Sequence, residues 1–157
     1  MKITLILILI LVFIPKLTFA IDFRTVSVQA TVLSKSNCRF SAATATLSFG
    51  NIDISSSNDI VVTTNITIRC GGAAPLATFV ITDDDGLYET GINQNRLRHS
   101  TDTTAFIPYS FTVNPFSATI PRNTNTSITL RGTILAQDYA NAIAGLYQDT
   151  VTLSINP

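Results

Sequence analysis

From Val26 onward, apolar and polar residues alternate with a period of two many times over, and after Ile21 no stretch keeps an i, i+3, i+4 apolar pattern through three helical turns. The chain is therefore predicted to be all-β. Val26, Val28, Ala30 and Val32 alternate with Ser27, Gln29 and Thr31, which predicts an opening strand with one apolar face. Further strands are predicted near Phe40–Phe49, Ile60–Cys70, Leu76–Ile81, Phe106–Val113, Ser127–Leu135 and Leu146–Ile155. In the second of these, Val62, Thr64, Ile66, Ile68 and Cys70 share one parity, so Cys70 is expected to point inward with Ile66 and Ile68. Asp83 to Arg98 reads as a long loop and Ala136 to Ala144 as a short alanine-rich connection. Pro108 cannot donate to a ladder, so its strand should lie at an edge or begin after it. Short strands separated by turn residues predict an immunoglobulin-like β-sandwich.

Apart from the opening strand, six strands are predicted, one fewer than a seven-strand sandwich requires. A missing strand leaves unpaired backbone groups beside exposed apolar side chains, an aggregation hazard unless something fills the gap. The opening segment can fill it in its own molecule, or can be lent to the next copy by strand addition. In either case Val26, Val28, Ala30 and Val32 would present side chains about 6.6 Å apart to successive pockets. Inward residues of the first and last core strands, Leu153 and Ile155 among them, should line those pockets.

Residues 1–20 have a different character. Lys2 is followed by an uninterrupted apolar run from Ile3 to Ile14, then Pro15, Lys16 and a small residue at Ala20, the pattern of a secretory signal peptide cleaved after Ala20. The run falls short of the roughly 20 apolar residues a membrane-spanning helix needs, so no stable span is expected once it is removed. The expected organisation is a signal peptide at 1–20, a candidate donor strand at 21–34 and a sandwich domain at 35–157.

Charge and composition narrow the function. Removing Lys2 and Lys16 from the ten basic residues leaves eight against ten acidic ones, without the basic surplus that a nucleic-acid partner calls for. With 46% hydrophobic and 13% charged residues, one His, one Met and no Trp, the chain is globular and poor in the usual catalytic and metal-binding groups. No cofactor is implied, and a secreted hydrolase would need an acidic pair or triad that no spacing suggests.

Cys38 and Cys70 form an even count in an exported chain, most simply read as one disulfide, with a metal pair or a reactive thiol as the other readings. A bond would close a ring of about 33 residues and contribute roughly 3 to 4 kcal/mol by the loop-entropy argument. A metal would need two more ligands, yet His99 has no histidine partner and no CxxC occurs. Asp83-Asp84-Asp85-Gly86 does not match the spacing of a calcium loop and reads as a solvated turn. His99 lies near Ser100 and Asp102 without the sequence context of a nucleophile. Asn65-Ile66-Thr67 and Asn125-Thr126-Ser127 match a glycosylation acceptor pattern that chance supplies readily in a Ser/Thr-rich chain. Tyr109 and Tyr147 could contact a ligand, but a core-filling role is the simpler reading, Tyr147 beside Gly145.

Several motifs resemble the spore coat protein U domain family, whose members include subunits of archaic chaperone-usher pili. They are Leu47-Ser48-Phe49-Gly50, Ile66-Thr67-Ile68-Arg69-Cys70-Gly71, Asn95-Arg96-Leu97, Pro108-Tyr109-Ser110-Phe111, Leu130-Arg131-Gly132-Thr133-Ile134, and the segment from Gly145 to Leu153. In the last, Gly145, Tyr147, Asp149, Thr150 and Val151 keep the order of the family's closing strand. The chain departs from the family at Leu97, where Met is frequent, and in lacking a Trp-Gly element, with Asn114 to Thr126 shortened. The resemblance implies a disulfide between Cys38 and Cys70 joining the first two core strands. It also implies a non-catalytic subunit that passes through the periplasm, where a chaperone supplies the missing strand. An outer-membrane usher then assembles it with copies of itself or related subunits, the donor strand of one filling the next. A spore coat component, or a self-contained secreted sandwich that binds carbohydrate or a surface, is the alternative.

Overall fold

The computed structural model describes residues 27, 29–30 and 37–157. Its contacts divide the chain into two units, Met1–Thr31 and Val32–Pro157. The predicted signal peptide and Val26, Val28 and Val32 of the predicted opening strand lie outside the described residues. Ser27, Gln29 and Ala30 belong to no strand.

The second unit contains β1 (Asn37–Phe40), β2 (Ile60–Gly71), β3 (Leu76–Asp83), β4 (Asn95–His99), β5 (Phe106–Asn114), β6 (Ser117–Pro121), β7 (Asn125–Ile134), a one-turn helix α1 (Ala136–Tyr139), β8 (Tyr147–Gln148) and β9 (Leu153–Asn156). Among the described residues two sheets form, of order β1-β2-β7-β5-β4-β8 and β6-β3-β9. Every pairing is antiparallel. The result is an all-β, immunoglobulin-like sandwich.

Period-two patterning sets which face each strand buries. In β2 the even-numbered positions point inward, and Ile68 and Cys70 are fully buried. They meet Ile128 and Leu130 of β7, and Ala77, Phe79 and Ile81 of β3 from the smaller sheet. Cys38 and Cys70 stand directly opposite in the β1–β2 register, and the structure joins them as a disulfide. A second apolar cluster, Ile107, Tyr109, Ile134 and Tyr139, occupies the far end of the larger sheet. There Tyr139 is fully buried and its hydroxyl donates to the carbonyls of Asn58, at 2.6 Å, and Ser56, at 3.1 Å.

Four strand expectations need correction. Regular pairing in the predicted Phe40–Phe49 strand ends at Phe40. The Ser41 amide still donates to the Thr67 carbonyl, but residues 42–52 make no backbone–backbone hydrogen bond with another described residue. Leu47 and Phe49 do turn inward, so the alternation reports which side chains are covered and not whether the backbone has a partner. The predicted loop from Asp83 to Arg98 contains β4, whose inward positions are Asn95, Leu97 and His99. Two of these three are polar, which hides the strand from a hydrophobic pattern. The segment Asn114 to Thr126 contains β6, where only Ala118 and Ile120 pack inward. The predicted closing strand Leu146–Ile155 is broken: β8 pairs with β4 in one sheet, β9 with β3 in the other, and Asp149 to Thr152 cross between them. Pro108 lies within β5, an interior strand, yet β7 pairs only with Ser110 to Asn114. At Pro108 the strand is paired on the β4 side alone, so the proline sits on a local edge.

Candidate functional site

Where the closing strand leaves one sheet for the other, a groove opens along the inner face of the larger sheet. Its floor is formed by side chains of β2, β5 and β7, including Ile66, Phe111 and Leu130. The segment after β1, with Ala42 to Ala45, Leu47 and Phe49, makes one wall, and the crossing segment from Asp149 to Thr152, with Leu153 of β9, makes the other. This part encloses about 550 Å³. A second part of about 770 Å³ continues between residues 45–54 and 142–149, and the two share Ala45, Leu47, Phe49, Leu97 and Asp149 in their linings. Exposed apolar side chains of Ile54, Ile143 and Leu146 border the second part.

Gly132 shows how closely the first wall approaches the floor. A Cβ there would stand 2.7 Å from both Leu47 Cδ2 and Phe49 Cζ, so the bare backbone of β7 is what admits these two side chains. The Phe49 ring also meets Tyr109 edge-on, with centroids 5.9 Å apart.

The opposite wall is tied down by two carboxylates. Asp149 Oδ2 accepts from the Tyr109 hydroxyl at 2.8 Å, while its Oδ1 accepts from the amides of Leu87, at 3.0 Å, and Thr150, at 2.8 Å. Asp84 Oδ1 accepts from the Thr152 amide at 2.8 Å and the Gly86 amide at 3.1 Å. Asp83 Oδ1 accepts from the Asp85 amide, and Asn95 Nδ2 donates to the Asp85 carbonyl at 2.6 Å. Gly86 has φ +90°, and a Cβ on it would collide with the Asp149 carboxylate, so this turn and this contact require glycine. The Asp83–Gly86 stretch, read from sequence as a solvated turn, does leave Asp83 and Asp84 exposed and in addition clasps the crossing segment; among the described residues no three potential metal ligands converge.

Protonation follows the geometry. Burial, then the hydrogen bond to Asp149 and its charge, hold the Tyr109 hydroxyl well above the ordinary tyrosine value. Burial opposes ionisation of Asp84, but the hydrogen bonds from Thr152 and Gly86 together outweigh it and lower that carboxyl. Partial loss of solvent, with the charges of Asp85 and Asp84, raises Asp83 despite the Asp85 amide.

Both ring nitrogens of buried His99 are occupied within the fold. Nδ1 accepts from the Asp102 amide at 2.9 Å and the Thr101 amide at 3.3 Å, which places the proton on Nε2, facing the Ala144 carbonyl at 3.2 Å. Gly145 packs against the same imidazole, where a Cβ would not fit. Tyr147 stacks edge-on to His99 and donates to the Ile143 carbonyl at 3.1 Å. Of the closing motif, then, Gly145 and Tyr147 pack around His99, while Asp149, Thr150 and Val151 form groove wall. Sequence reasoning missed Asp84 as a hold on this wall; the only signal was a run of three aspartates before a glycine.

Compared with known proteins, residues 23–154 match the family model described as Spore Coat Protein U domain. No curated protein matches the sequence. A solved structure described as "Chaperone-tip adhesin complex is vital for synergistic activation of CFA/I fimbriae biogenesis" is similar at 9% identity and a TM-score of 0.47, over 78% of this chain and 41% of that one. The present chain therefore spans about two fifths of that neighbour's length.

Proposed function

The chain belongs to the spore coat protein U domain family, and from that membership we propose that it is an exported, non-catalytic structural subunit of a pilus or related surface assembly, polymerising by strand donation. Residues 1–20 direct export, residues 21–34 form the donated strand, and residues 35–157 form the accepting sandwich. The observation that carries this reading is an apolar groove bounded by two segments outside the regular strands, with few backbone partners of their own. A strand entering between them would receive hydrogen bonds from both sides and bury its inward side chains against Ile66, Phe111 and Leu130.

Val26, Val28, Ala30 and Val32 of a neighbouring copy suit that slot, because alternate residues of a strand fall about 6.6 Å apart on one face. Each valine contributes on the order of 1.5 to 3 kcal/mol if its pocket closes fully. Before assembly, a periplasmic chaperone would lend a strand to the same groove, and an outer-membrane usher would bring subunits together at the cell surface.

The test is the size distribution of the oxidised protein purified from a periplasm, run on an unboiled denaturing gel beside the same chain lacking residues 22–32. A heat-sensitive ladder from the intact chain, absent from the truncated one, is the expected result. An intact chain that stays monomeric at high concentration would show that the groove is satisfied internally and would favour a self-contained sandwich.

A further inference from the structure

Asp84, on the β3–β4 turn, and Asp149, on the crossing segment, both accept amides of that segment, and Asp149 also joins it to Leu87 of the turn and to Tyr109 of β5. The Thr152 amide points toward that turn, where Asp84 accepts it, and the Thr150 amide shares Asp149 Oδ1 with the Leu87 amide of the turn. Along an extended chain, successive peptide groups face opposite ways. Leu153 opens β9 opposite Asp83 of β3, and Thr152 just before it is turned to Asp84 on that same side, so continuing the strand's alternation backward turns the N–H and C=O of Val151 and Leu153 the other way, along the free edge of β9, the last strand of its sheet. The Val151 amide makes no backbone hydrogen bond with another described residue.

We propose that Asp84 and Asp149 are positioning residues that hold residues 149–153 as a preformed hydrogen-bonding edge. A strand entering the groove pairs through the peptide groups of Val151 and Leu153 and is thereby set in register. The inference rests on the reading that the groove accepts a strand, and it adds which backbone atoms do so and what aims them. The crossing segment belongs to neither sheet, so without the clasp its peptide planes would be free to rotate. An incoming strand would then have to order them as it bound, which lowers affinity and slows association. Asp84 uses a single oxygen, which an amide can imitate: the Asn oxygen of D84N still accepts from both Gly86 and Thr152, whereas D84A offers nothing.

The experiment uses the full-length oxidised chain at a concentration where it is monomeric, and a synthetic peptide of residues 22–33 as probe. Amide hydrogen exchange is followed by NMR with and without peptide, and peptide binding kinetics by fluorescence anisotropy. In the free protein the Thr150 and Thr152 amides should be protected and Val151 fast; on binding, Val151 and Leu153 should slow by a hundredfold or more. D84A should lose at least tenfold in affinity, mostly in association rate per folded molecule, and D84N should stay within threefold of the parent. A role in stability alone would change the folded fraction and leave the association rate of folded molecules unaltered. Val151 protected before peptide is added, Val151 unchanged in the complex, or D84A binding as the parent does would each overturn the inference alone. Failure of the parent chain to bind peptide, with the free-state exchange pattern as expected, would bring down the groove reading and this inference with it.

Discussion

Replacing Tyr109 with Phe removes one oxygen atom from the centre of the clasp and little else. The ring is only 8% exposed and its contact with Phe49 is kept, so no cavity of consequence is left. What is lost is the 2.8 Å hydrogen bond to Asp149 Oδ2. A hydrogen bond to a charged group contributes about 1.5 to 3 kcal/mol, and more of that is forfeited the drier the abandoned partner. Asp149 is half-buried and retains the Leu87 and Thr150 amides on its other oxygen, so water can reach the vacated one. The cost should sit at the low end, about 1.5 kcal/mol. In urea, with a slope of about 1.5 to 2 kcal/mol per molar for a domain this small, the midpoint should fall by about 0.8 to 1 M with the slope unchanged. The cycle formed with D149N and the double variant should show a coupling of about 1 kcal/mol or more, as expected for partners in one network. A Y109F cost under about 0.3 kcal/mol, or strictly additive effects, would refute the claim that this bond holds the crossing segment in place.

Reducing the Cys38–Cys70 bond, or replacing both residues by Ala, should cost roughly 3 to 4 kcal/mol in urea unfolding, since the bridge closes a long ring between two buried positions. Phe79→Ala should cost about 3 to 5 kcal/mol, because Phe79 is fully buried between the sheets and its neighbours on both faces cannot all close the gap. Stability against pH should separate the two adjacent aspartates. The Asp84 carboxyl is lowered in the fold from its ordinary 3.8, so its contribution is complete above that value and disappears as pH falls through the lower folded one; the stability gap between parent and D84N should close on acidification. Asp83 is raised, so its charge costs the fold stability at neutral pH; D83N should be at least as stable as the parent at pH 7, with the difference vanishing below about pH 4.

Much of the sandwich can be read along the chain, because alternation with period two reports directly which face of a strand is covered. The parity of Ile66, Ile68 and Cys70, and the existence of β2, β3, β5 and β7, follow from local residue order alone. The same rule explains the misses. It detects β4 poorly because Asn95 and His99 take inward positions as polar residues satisfied by hydrogen bonds. Nor can it tell a paired strand from Leu47 to Phe49, whose side chains alternate in burial without a backbone partner.

The groove depended on tertiary structure for a different reason. Asp84 reaches the amide of Thr152 across 68 residues, and Tyr109 reaches Asp149 across 40. Nothing in the local order of either segment signals the other, because a carboxylate holds an amide only once packing has placed the two within about 3 Å. The sequence by itself determined the class of fold, the inward faces and the family. The break in the closing strand, and the clasp that aims its free edge into the groove, arise only when the two sheets pack and Asp149 to Thr152 must pass from one to the other.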